Sequence, residues 1–294
     1  MNFALNCSPQ AAELVQTGQI QIDLFKCPAW PELITKALDI GPAYVHFPLR
    51  VGDGSGNAFN TEAGQPADWT WIEQILQQTG TRYVNLHLHP PRQTGVLPDD
   101  GYGPAATVET TTRLIRDVEA LAKHFGAERI TVENGYNLDR QPLRPAYFAE
   151  VISEVVEATS CGFLFDLSHA RMASEILGVP VEEYVAKLPL HATRELHITG
   201  IQYTGDYWLE RMQQEGVDPA MIANISGRIM DHLPLVDEDW EVMRWAAESI
   251  QQGIWNTPDI VALECGGYGP FWQATLDEKA LAEQVPRLYD MFSV

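Results

Sequence analysis

The sequence of 294 residues lacks the features that mark secreted, disulfide-linked or membrane proteins. Its four cysteines (Cys7, Cys27, Cys161 and Cys265) include no CxxC pair and do not form the pattern of a disulfide framework. No apolar run approaches the roughly 18 residues of a transmembrane helix. The N-terminal stretch MNFALNCSPQ lacks a basic segment followed by a long apolar one, so no secretory signal is expected. These absences predict a protein of the reducing cytoplasm.

Basic residues are also scarce, because 19 Lys and Arg face 40 Asp and Glu, which gives a net charge of -21. Proteins that bind nucleic acid need clustered Lys and Arg to contact phosphates. An anionic membrane surface would likewise repel this chain. We therefore expect no nucleic acid and no membrane among its partners, and most of the excess acids are expected to be solvated surface charge.

Several catalytic motifs are missing as well. The sequence contains no GxSxG, P-loop or HExxH motif, so a serine nucleophile has no support. It also contains no Gly-rich dinucleotide fingerprint. A pair of glycosidase carboxylates stays open as an interpretation, but such a pair would not need the many histidines described below.

Eight short apolar runs alternate with segments of helical periodicity. The runs are Phe3–Cys7, Gln21–Cys27, Ala43–Leu49, Tyr83–Leu88, Ile130–Glu133, Gly162–Leu167, Glu195–Gly200 and Asp259–Glu264. The helical segments are Pro9–Thr17, Trp30–Leu38, Asp68–Gln78, Val108–Phe125, Arg144–Ala158, Val181–Lys187, Asp237–Gln252 and Asp277–Met291. Because the runs are apolar on both faces and alternate with helices, they predict an α/β fold, a single (β/α)8 TIM barrel, with residues 1–294 as one domain.

Three predicted connections are long, and all three follow strands. They are Val51–Ala67, Pro90–Ala106 and Ile201–Val236. Loops that follow the strands of a TIM barrel lie on the face that carries active sites. The functional end of the predicted barrel is therefore the C-terminal rim.

Histidines and acids concentrate at this predicted rim. Six of the eight histidines and four acids lie at strand ends or in the loops after them: His46, His87, His89, His169, His197, His232, Glu133, Asp166, Asp231 and Glu264. His124 ends a helix and His191 precedes a strand, so these two should face the opposite end. The strand-end acids follow apolar stretches, where a carboxylate is costly without a cation, and Arg171 and Arg50 are the only obvious basic neighbours.

A lone strand-end histidine is more often a core residue than a ligand, but the joint pattern favours a metal cluster. Imidazole and carboxylate together suit zinc, iron, manganese or cobalt. Nine or ten candidate ligands exceed what one ion needs, so two or three ions are expected. Glu133 could bridge two ions, while Asp166 and His169 could bind different ions.

Some residues near the predicted ligands have more than one interpretation. His89 either supports a ligand or faces the substrate. Asn134 either orients Glu133 or a water, or has a purely structural role. Arg171 is expected to hold a substrate carboxylate or to pair with a rim acid. The aromatic residues Tyr203, Tyr207 and Trp208 either line the substrate cleft or pack a lid, and Cys265 should point into the barrel wall.

The order of these motifs resembles that of the xylose isomerase-like barrel superfamily. Two of its branches carry nearly the full set, endonuclease IV and the multinuclear non-heme iron-dependent oxidative enzymes, the MNIO family. The second is favoured because VENGYN, FLFDLSHARMASEILG, ELHITG and DHLPLVDEDWEVMRWA are similar to its motifs. The sequence departs from the family where Asp231 and His232 are adjacent rather than spaced Asp-x-His, and where Cys265 and Gly266 follow Glu264 instead of Arg-Asp.

The resemblance implies an oxidase or oxygenase that acts on a cysteine-containing peptide or small molecule, with a partner protein that presents the peptide. It implies iron as the metal, with zinc or manganese as alternatives, and Glu133, His89 and Arg171 as catalytic residues. The implied ligand sets are His46 and His87 with Glu133 as the bridge, then Asp166, His197 and Glu264, then His169, Asp231 and His232.

Three other functions remain open at this stage. A metal-dependent sugar isomerase or epimerase is the main alternative, although its usual site would leave His46, His169 and His232 without a role. A metal-dependent phosphodiesterase comes next, but it would need a basic groove. A barrel that only binds metal or serves as a scaffold is disfavoured by the long loops of the rim.

Overall fold

The computed structural model describes residues 1–90, 97–98, 101–137 and 142–293. Its strands are β1 (Asn2–Asn6), β2 (Leu24–Pro28), β3 (Ala43–His46), β4 (Leu49–Arg50), β5 (Phe59–Asn60), β6 (Gln65–Pro66), β7 (Val84–His87), β8 (Ile130–Glu133), β9 (Gly162–Asp166), β10 (Thr193–Ile198), β11 (Gly200–Tyr203), β12 (Ile229–Leu233) and β13 (Ile260–Leu263). Its helices are α1 (Pro9–Gln16), α2 (Pro31–Ile40), α3 (Trp69–Thr79), α4 (Pro104–Phe125), α5 (Ala149–Thr159), α6 (Leu167–Leu177), α7 (Val181–Val185), α8 (Asp206–Gln214), α9 (Pro219–Ile225), α10 (Asp237–Gln251), α11 (Pro270–Thr275) and α12 (Glu278–Phe292). Strands and helices therefore alternate along most of the chain, as predicted.

The chain divides into two compact units. One contains Met1–Tyr44 and Leu196–Val294, and the other contains Val45–Glu195. The boundaries fall inside β3 and β10. The single domain expected over residues 1–294 stays a prediction.

A parallel sheet organises the unit Val45–Glu195. Strands β4, β7, β8 and β9 are neighbours in that order and pair in parallel, while β5 and β6 continue the sheet as antiparallel strands. Every residue of β8 and β9 is buried, which confirms that these apolar runs are covered on both faces. The register aligns His87 with Glu133, so the side chains at the carboxyl ends of β7 and β8 are neighbours.

The unit of Met1–Tyr44 and Leu196–Val294 also has a parallel core. Strand β1 pairs with both β2 and β13, and its register aligns Asn6 with Lys26. The backbone N–H of Glu264 donates to the carbonyl of Ile198 at 2.9 Å. Glu264 therefore lies beside the end of β10, close to His197.

The eight predicted strands all correspond to observed strands, with shifted ends. The third run, Ala43–Leu49, is divided because β3 ends at His46 and β4 begins at Leu49. Pro48 lies between them and has no N–H to continue the ladder. The predicted helix Arg144–Ala158 is likewise divided into a 3-10 turn, Pro145–Tyr147, and α5.

The structure adds elements where long connections were predicted. Ile201–Val236 contains α8, α9 and most of the antiparallel strand pair β11 and β12. An apolar cluster around Trp208 and Met212 lies largely in this segment. Val51–Ala67 contains the short strands β5 and β6. The predicted connection Pro90–Ala106 lies partly outside the described residues, and α4 already begins at Pro104. Among the residues that the structure describes, no helix is long and apolar enough to cross a bilayer.

Candidate metal centre

Three ligand-type atoms meet at the carboxyl ends of β3, β7 and β8. The Nε2 atoms of His46 and His87 are 3.2 Å apart. Glu133 Oε2 lies 3.2 Å from His87 Nε2 and 3.5 Å from His46 Nε2. An ion bonded at about 2.1 Å sets neighbouring ligand atoms about 3.0–3.4 Å apart, so the triangle has the dimensions of a metal site.

Hydrogen bonds to His87 Nδ1 and to His46 Nε2 indicate which nitrogen of each neutral ring carries the proton. His87 Nδ1 lies 2.9 Å from the carbonyl oxygen of Leu49, which can only accept, so Nδ1 is the donor and Nε2 is bare. The Asn85 amide is oriented by the backbone of Phe47, and its Nδ2 lies 3.1 Å from His46 Nε2, which is therefore an acceptor. Two unprotonated imidazole nitrogens therefore lie 3.2 Å apart, and an Asn85 N–H points at the lone pair of the His46 nitrogen.

Glu133 adds a negative charge to this meeting point. The residue is 2% exposed, and its Oε2 accepts no hydrogen bond from the described residues. A buried carboxylate oxygen without a hydrogen-bond donor, beside the unprotonated Nε2 of His87, is unfavourable unless a cation lies between them. The residues present therefore fit a metal ion.

A second ligand group shares Glu133 with the first. Glu133, Asp166 and His169 each offer an atom within 4.8 Å of the others. Glu133 Oε1 lies 3.6 Å from His169 Nδ1, so the two carboxylate oxygens face different histidines. His169 Nδ1 also lies 2.8 Å from the carbonyl of Asn134 and donates to it, so the nitrogen beside Glu133 is protonated and Nε2 is the one with a lone pair for an ion.

Local capping explains the Asp-x-x-His spacing. Asp166 is the N-cap of α6, and its Oδ1 accepts from the backbone N–H of His169 at 2.7 Å. His169 was expected in a turn before the next helix, which is wrong because α6 begins directly after β9. Asn134 bonds the backbone of Asp166 through both N–H and C=O at 2.8 Å, so it ties the ends of β8 and β9 together rather than orienting Glu133.

The other two predicted catalytic residues of this unit have different surroundings. His89 Nδ1 is hydrogen-bonded to the hydroxyl of Tyr147, which is buried, and Tyr184 donates to the Tyr147 carbonyl at 2.6 Å. His89 is thus held by Tyr147, in keeping with a supporting or substrate-facing role. Arg171 lies half-buried on α6 two residues after His169.

The second unit carries its own group of predicted ligands. His197 is fully buried, and its Nδ1 lies 3.2 Å from Glu264 Oε1. His232 Nε2 lies 3.9 Å from both Glu264 Oε2 and Asp231 Oδ2. His232 also has a φ of +59°, a left-handed conformation that is uncommon for a non-glycine residue.

A buried lysine, which the sequence interpretation missed, lies in this group. The Nζ of Lys26 on β2 bonds Glu264 Oε1, and both side chains are less than a tenth exposed. The expectation that only Arg171 and Arg50 could neutralise a strand-end acid is therefore wrong. Burial alone would raise the pKa of Glu264, but His197, Lys26 and His232 outweigh it and hold the pKa well below its ordinary value.

The two control histidines lie apart from the ligand groups of their own unit. His124 Nε2 lies 2.9 Å from Glu73 Oε1, and His191 Nε2 lies 3.8 Å from Glu157 Oε1. Both are surface pairs that contact neither Glu133 nor Asp166. They provide histidine substitutions that should not disturb a metal site.

Other residues clarify the remaining expectations. Glu195 on β10 was not predicted as a ligand from the sequence. One of its carboxylate oxygens lies within 4.8 Å of a His46 nitrogen. Trp208 is buried in the apolar cluster that contains Met212 and Met230, whereas Tyr203 and Tyr207 are exposed. Cys265 is buried as expected, and burial raises the pKa of its thiol to about 12.

Solved structures with the same fold are known. A D-tagatose 3-epimerase-like protein is 15% identical over 100% of both chains, with a TM-score of 0.50. A xylose isomerase domain protein from Alicyclobacillus acidocaldarius subsp. acidocaldarius is 14% identical over 100% of both chains, with a TM-score of 0.52. At such identity the likeness concerns the fold alone, and it confirms the (β/α)8 TIM-barrel fold class predicted from the sequence.

Sequence comparison identifies the family. No protein of curated function matches the chain. The family model described as RiPP precursor modification enzyme MbnB/TglH/ChrH matches residues 65–246, which is more than half of the sequence. The matched segment contains His87, Glu133, Asp166, His169 and His197. The chain therefore belongs to the MbnB/TglH/ChrH family of RiPP precursor modification enzymes, which is the MNIO family that its motifs resemble.

Proposed function

We propose that the protein is a multinuclear non-heme iron enzyme that oxidatively modifies a cysteine-containing peptide. The observation that carries the proposal is the meeting of His46 Nε2, His87 Nε2 and Glu133 Oε2 within 3.5 Å of one another. Family membership supports the peptide as substrate, because the family is described by its action on RiPP precursors.

The proposed ligands of the first ion are His46, His87 and Glu133, and a second ion would bind Glu133, Asp166 and His169. Glu133 would bridge the two, since its oxygens face different histidines. We propose His197, Asp231, His232 and Glu264 as further ligands, so that two or three ions are held in total. Bound iron would supply dioxygen activation and hold the substrate thiolate.

The chain's own residues would position the substrate and move protons. His89, fixed through its Nδ1 by Tyr147, would exchange a proton with the substrate through Nε2. Arg171 would hold a carboxylate of the peptide. A partner protein would present the peptide, and a reducing cytoplasm would suit the four cysteines, none of which forms a disulfide.

Metal analysis tests the centre. Anaerobically purified protein should contain about two or three metal ions per chain, mostly iron, and Glu133→Ala should abolish loading because both ligand groups lose their shared carboxylate. His124→Ala and His191→Ala are matched controls that should load normally. One ion or none in the parent protein, or equal losses in all three variants, would refute the proposed centre.

Dioxygen uptake tests the type of reaction. With a cysteine-containing precursor peptide and its partner protein present, the iron-loaded enzyme should consume dioxygen in proportion to modified peptide. Glu133→Ala should show neither uptake nor modification. Turnover of a confirmed substrate without dioxygen uptake would contradict the oxidase and favour the isomerase-type alternative.

A further inference from the structure

An arginine-lined cleft lies at the end of the strands away from the metal ligands of the unit Val45–Glu195. Its volume is about 620 Å³, and its charged lining is Arg82, Arg129, Arg194 and Glu128. Arg82 precedes β7, Arg129 precedes β8, and Arg194 is the second residue of β10. From Arg82 to His87 the chain covers about 17 Å of extended backbone, so the cleft is separate from the site at the carboxyl ends.

The cleft is positive in a strongly negative chain. Three arginines and one acid give it a local charge of +2, whereas the whole chain carries -21. Among the described residues, no acid lies within ion-pairing distance of Arg129 or Arg194. The Glu128 carboxylate is folded against Gly126, where an added Cβ would lie 2.5 Å from its Oε1. Two of the arginines that line the cleft therefore have no internal counter-charge among the described residues.

Packing holds two of the arginines in place. The stem of Arg194 lies across Gly162, and an added Cβ on that glycine would come within 2.7 Å of Arg194 Cγ. The guanidinium of Arg82 lies 5.2 Å from the centre of the Tyr83 ring, at cation–π distance. Side chains fixed in this way lose less entropy when they bind a ligand.

The spacing of the arginines indicates the kind of ligand. Neighbouring strands lie about 4.8 Å apart, so Arg82 and Arg129 start one strand apart, and Arg129 and Arg194 start two strands apart. This spread exceeds the size of a single phosphate group. It suits two carboxylates of an extended chain, whose side chains on one face recur about every 6.6 Å.

We propose that this cleft binds an acidic segment of a polypeptide, with at least two Asp or Glu carboxylates paired to the arginines. The guanidinium fork binds a carboxylate through two hydrogen bonds. The rest of the protein surface is negatively charged and repels an acidic segment, so the segment is directed to the cleft. The inference does not depend on bound metal, because none of its residues belongs to the ligand groups.

Fluorescence anisotropy with a labelled peptide of alternating glutamate and alanine tests the proposal. The metal-loaded protein should bind this peptide at low ionic strength, and binding should weaken as salt is added. The Arg129→Ala/Arg194→Ala variant should bind at least about tenfold more weakly, since two charge-assisted pairs are lost. Arg116→Ala removes an exposed arginine of α4 and should bind like the parent.

Three results would overturn the inference. They are equal binding by the double variant and the parent, equal binding of a matched peptide of lysine and alanine, and displacement of the acidic peptide by inorganic phosphate at low millimolar concentration. Unchanged metal content in the double variant would show that the ligand groups are intact. Loss of peptide binding with normal metal content separates this inference from the proposed function.

Discussion

The ion pair between Lys26 and Glu264 lies in the interior of the unit that contains both residues. The two side chains are only 7% and 6% exposed. Removing two charges from water is costly, and their attraction repays the cost only while both are present. Each residue therefore depends on the other more than a surface pair would.

Replacing Lys26 with Met should destabilise the protein by about 3–5 kcal/mol, because Glu264 would keep a buried charge without its counter-charge. Urea unfolding of chelator-treated protein measures this loss without interference from bound metal. The double variant Lys26→Met/Glu264→Leu should recover most of the stability, since no charge stays buried. A single variant as stable as the parent would contradict this account of the pair.

Most of the candidate site could be predicted residue by residue. His87, Glu133 and Asp166 end apolar runs, and parallel strands bring their carboxyl ends to one edge. Lys26 was not predicted as part of the site, because a lysine was not expected to be buried among apolar residues. Its position two residues after Leu24 places both side chains on the same face of β2. The bond from Tyr147 to His89 joins residues 58 positions apart, and no spacing rule predicts it.

At the scale of elements, the loop after β4 is organised by an acid from α4. The backbone N–H groups of Gly52 and Gly54 donate to Asp117 Oδ2 at 2.8 and 3.0 Å, and that of Gly56 donates to Oδ1 at 2.7 Å. All three glycines have positive φ, which lets successive amides point at one carboxylate. Asp117 is fully buried, so it fastens this loop to the helix.

Asp117→Ala should destabilise the protein by about 2–4 kcal/mol, because one buried and two partly buried backbone amides would lose their acceptor. The backbone amides of Gly52, Gly54 and Gly56 should also exchange with deuterium much faster. Arg116→Ala, at the exposed neighbouring position, is the control and should change neither quantity. Unchanged protection of the three amides in Asp117→Ala would show that the loop is held by other contacts.

The elements that the sequence did not predict have identifiable causes. Helix α6 follows β9 without a loop, because Asp166 serves as both strand end and N-cap, so no polar break marks the boundary. The antiparallel pair of β11 and β12 was not predicted from the sequence, because both strands are short and lie within a polar segment. At Gly200 an added Cβ would lie 2.2 Å from the Pro234 carbonyl oxygen, a close approach that periodicity does not reveal.

At the scale of the whole molecule, charge links metal binding to stability. The chain carries -21, and the buried acids add to its self-repulsion when folded. Ions that bind the folded chain and not the unfolded chain stabilise it in proportion to the logarithm of their concentration over their dissociation constant. The overall fold was predictable because strands and helices alternate along most of the described chain.

Removing metal with a chelator should therefore lower the melting temperature of the whole protein. At a metal concentration about 100 times the dissociation constant, each ion contributes about 2.7 kcal/mol. Ferrous iron should restore the melting temperature, whereas magnesium should not, because it prefers oxygen ligands over imidazole. Glu133→Ala should not respond to either metal, and a response equal to that of the parent would contradict loading at this site.

Glu133 directs its two oxygens toward different histidines, His87 and His169. Two ions that share one carboxylate do not bind independently, since the first to arrive immobilises the side chain that the second requires. Linkage then makes the effect mutual, so each ion raises the affinity for the other. Occupancy should accordingly rise sigmoidally with free metal concentration, and molecules with a single ion should be rare at every stage of the titration.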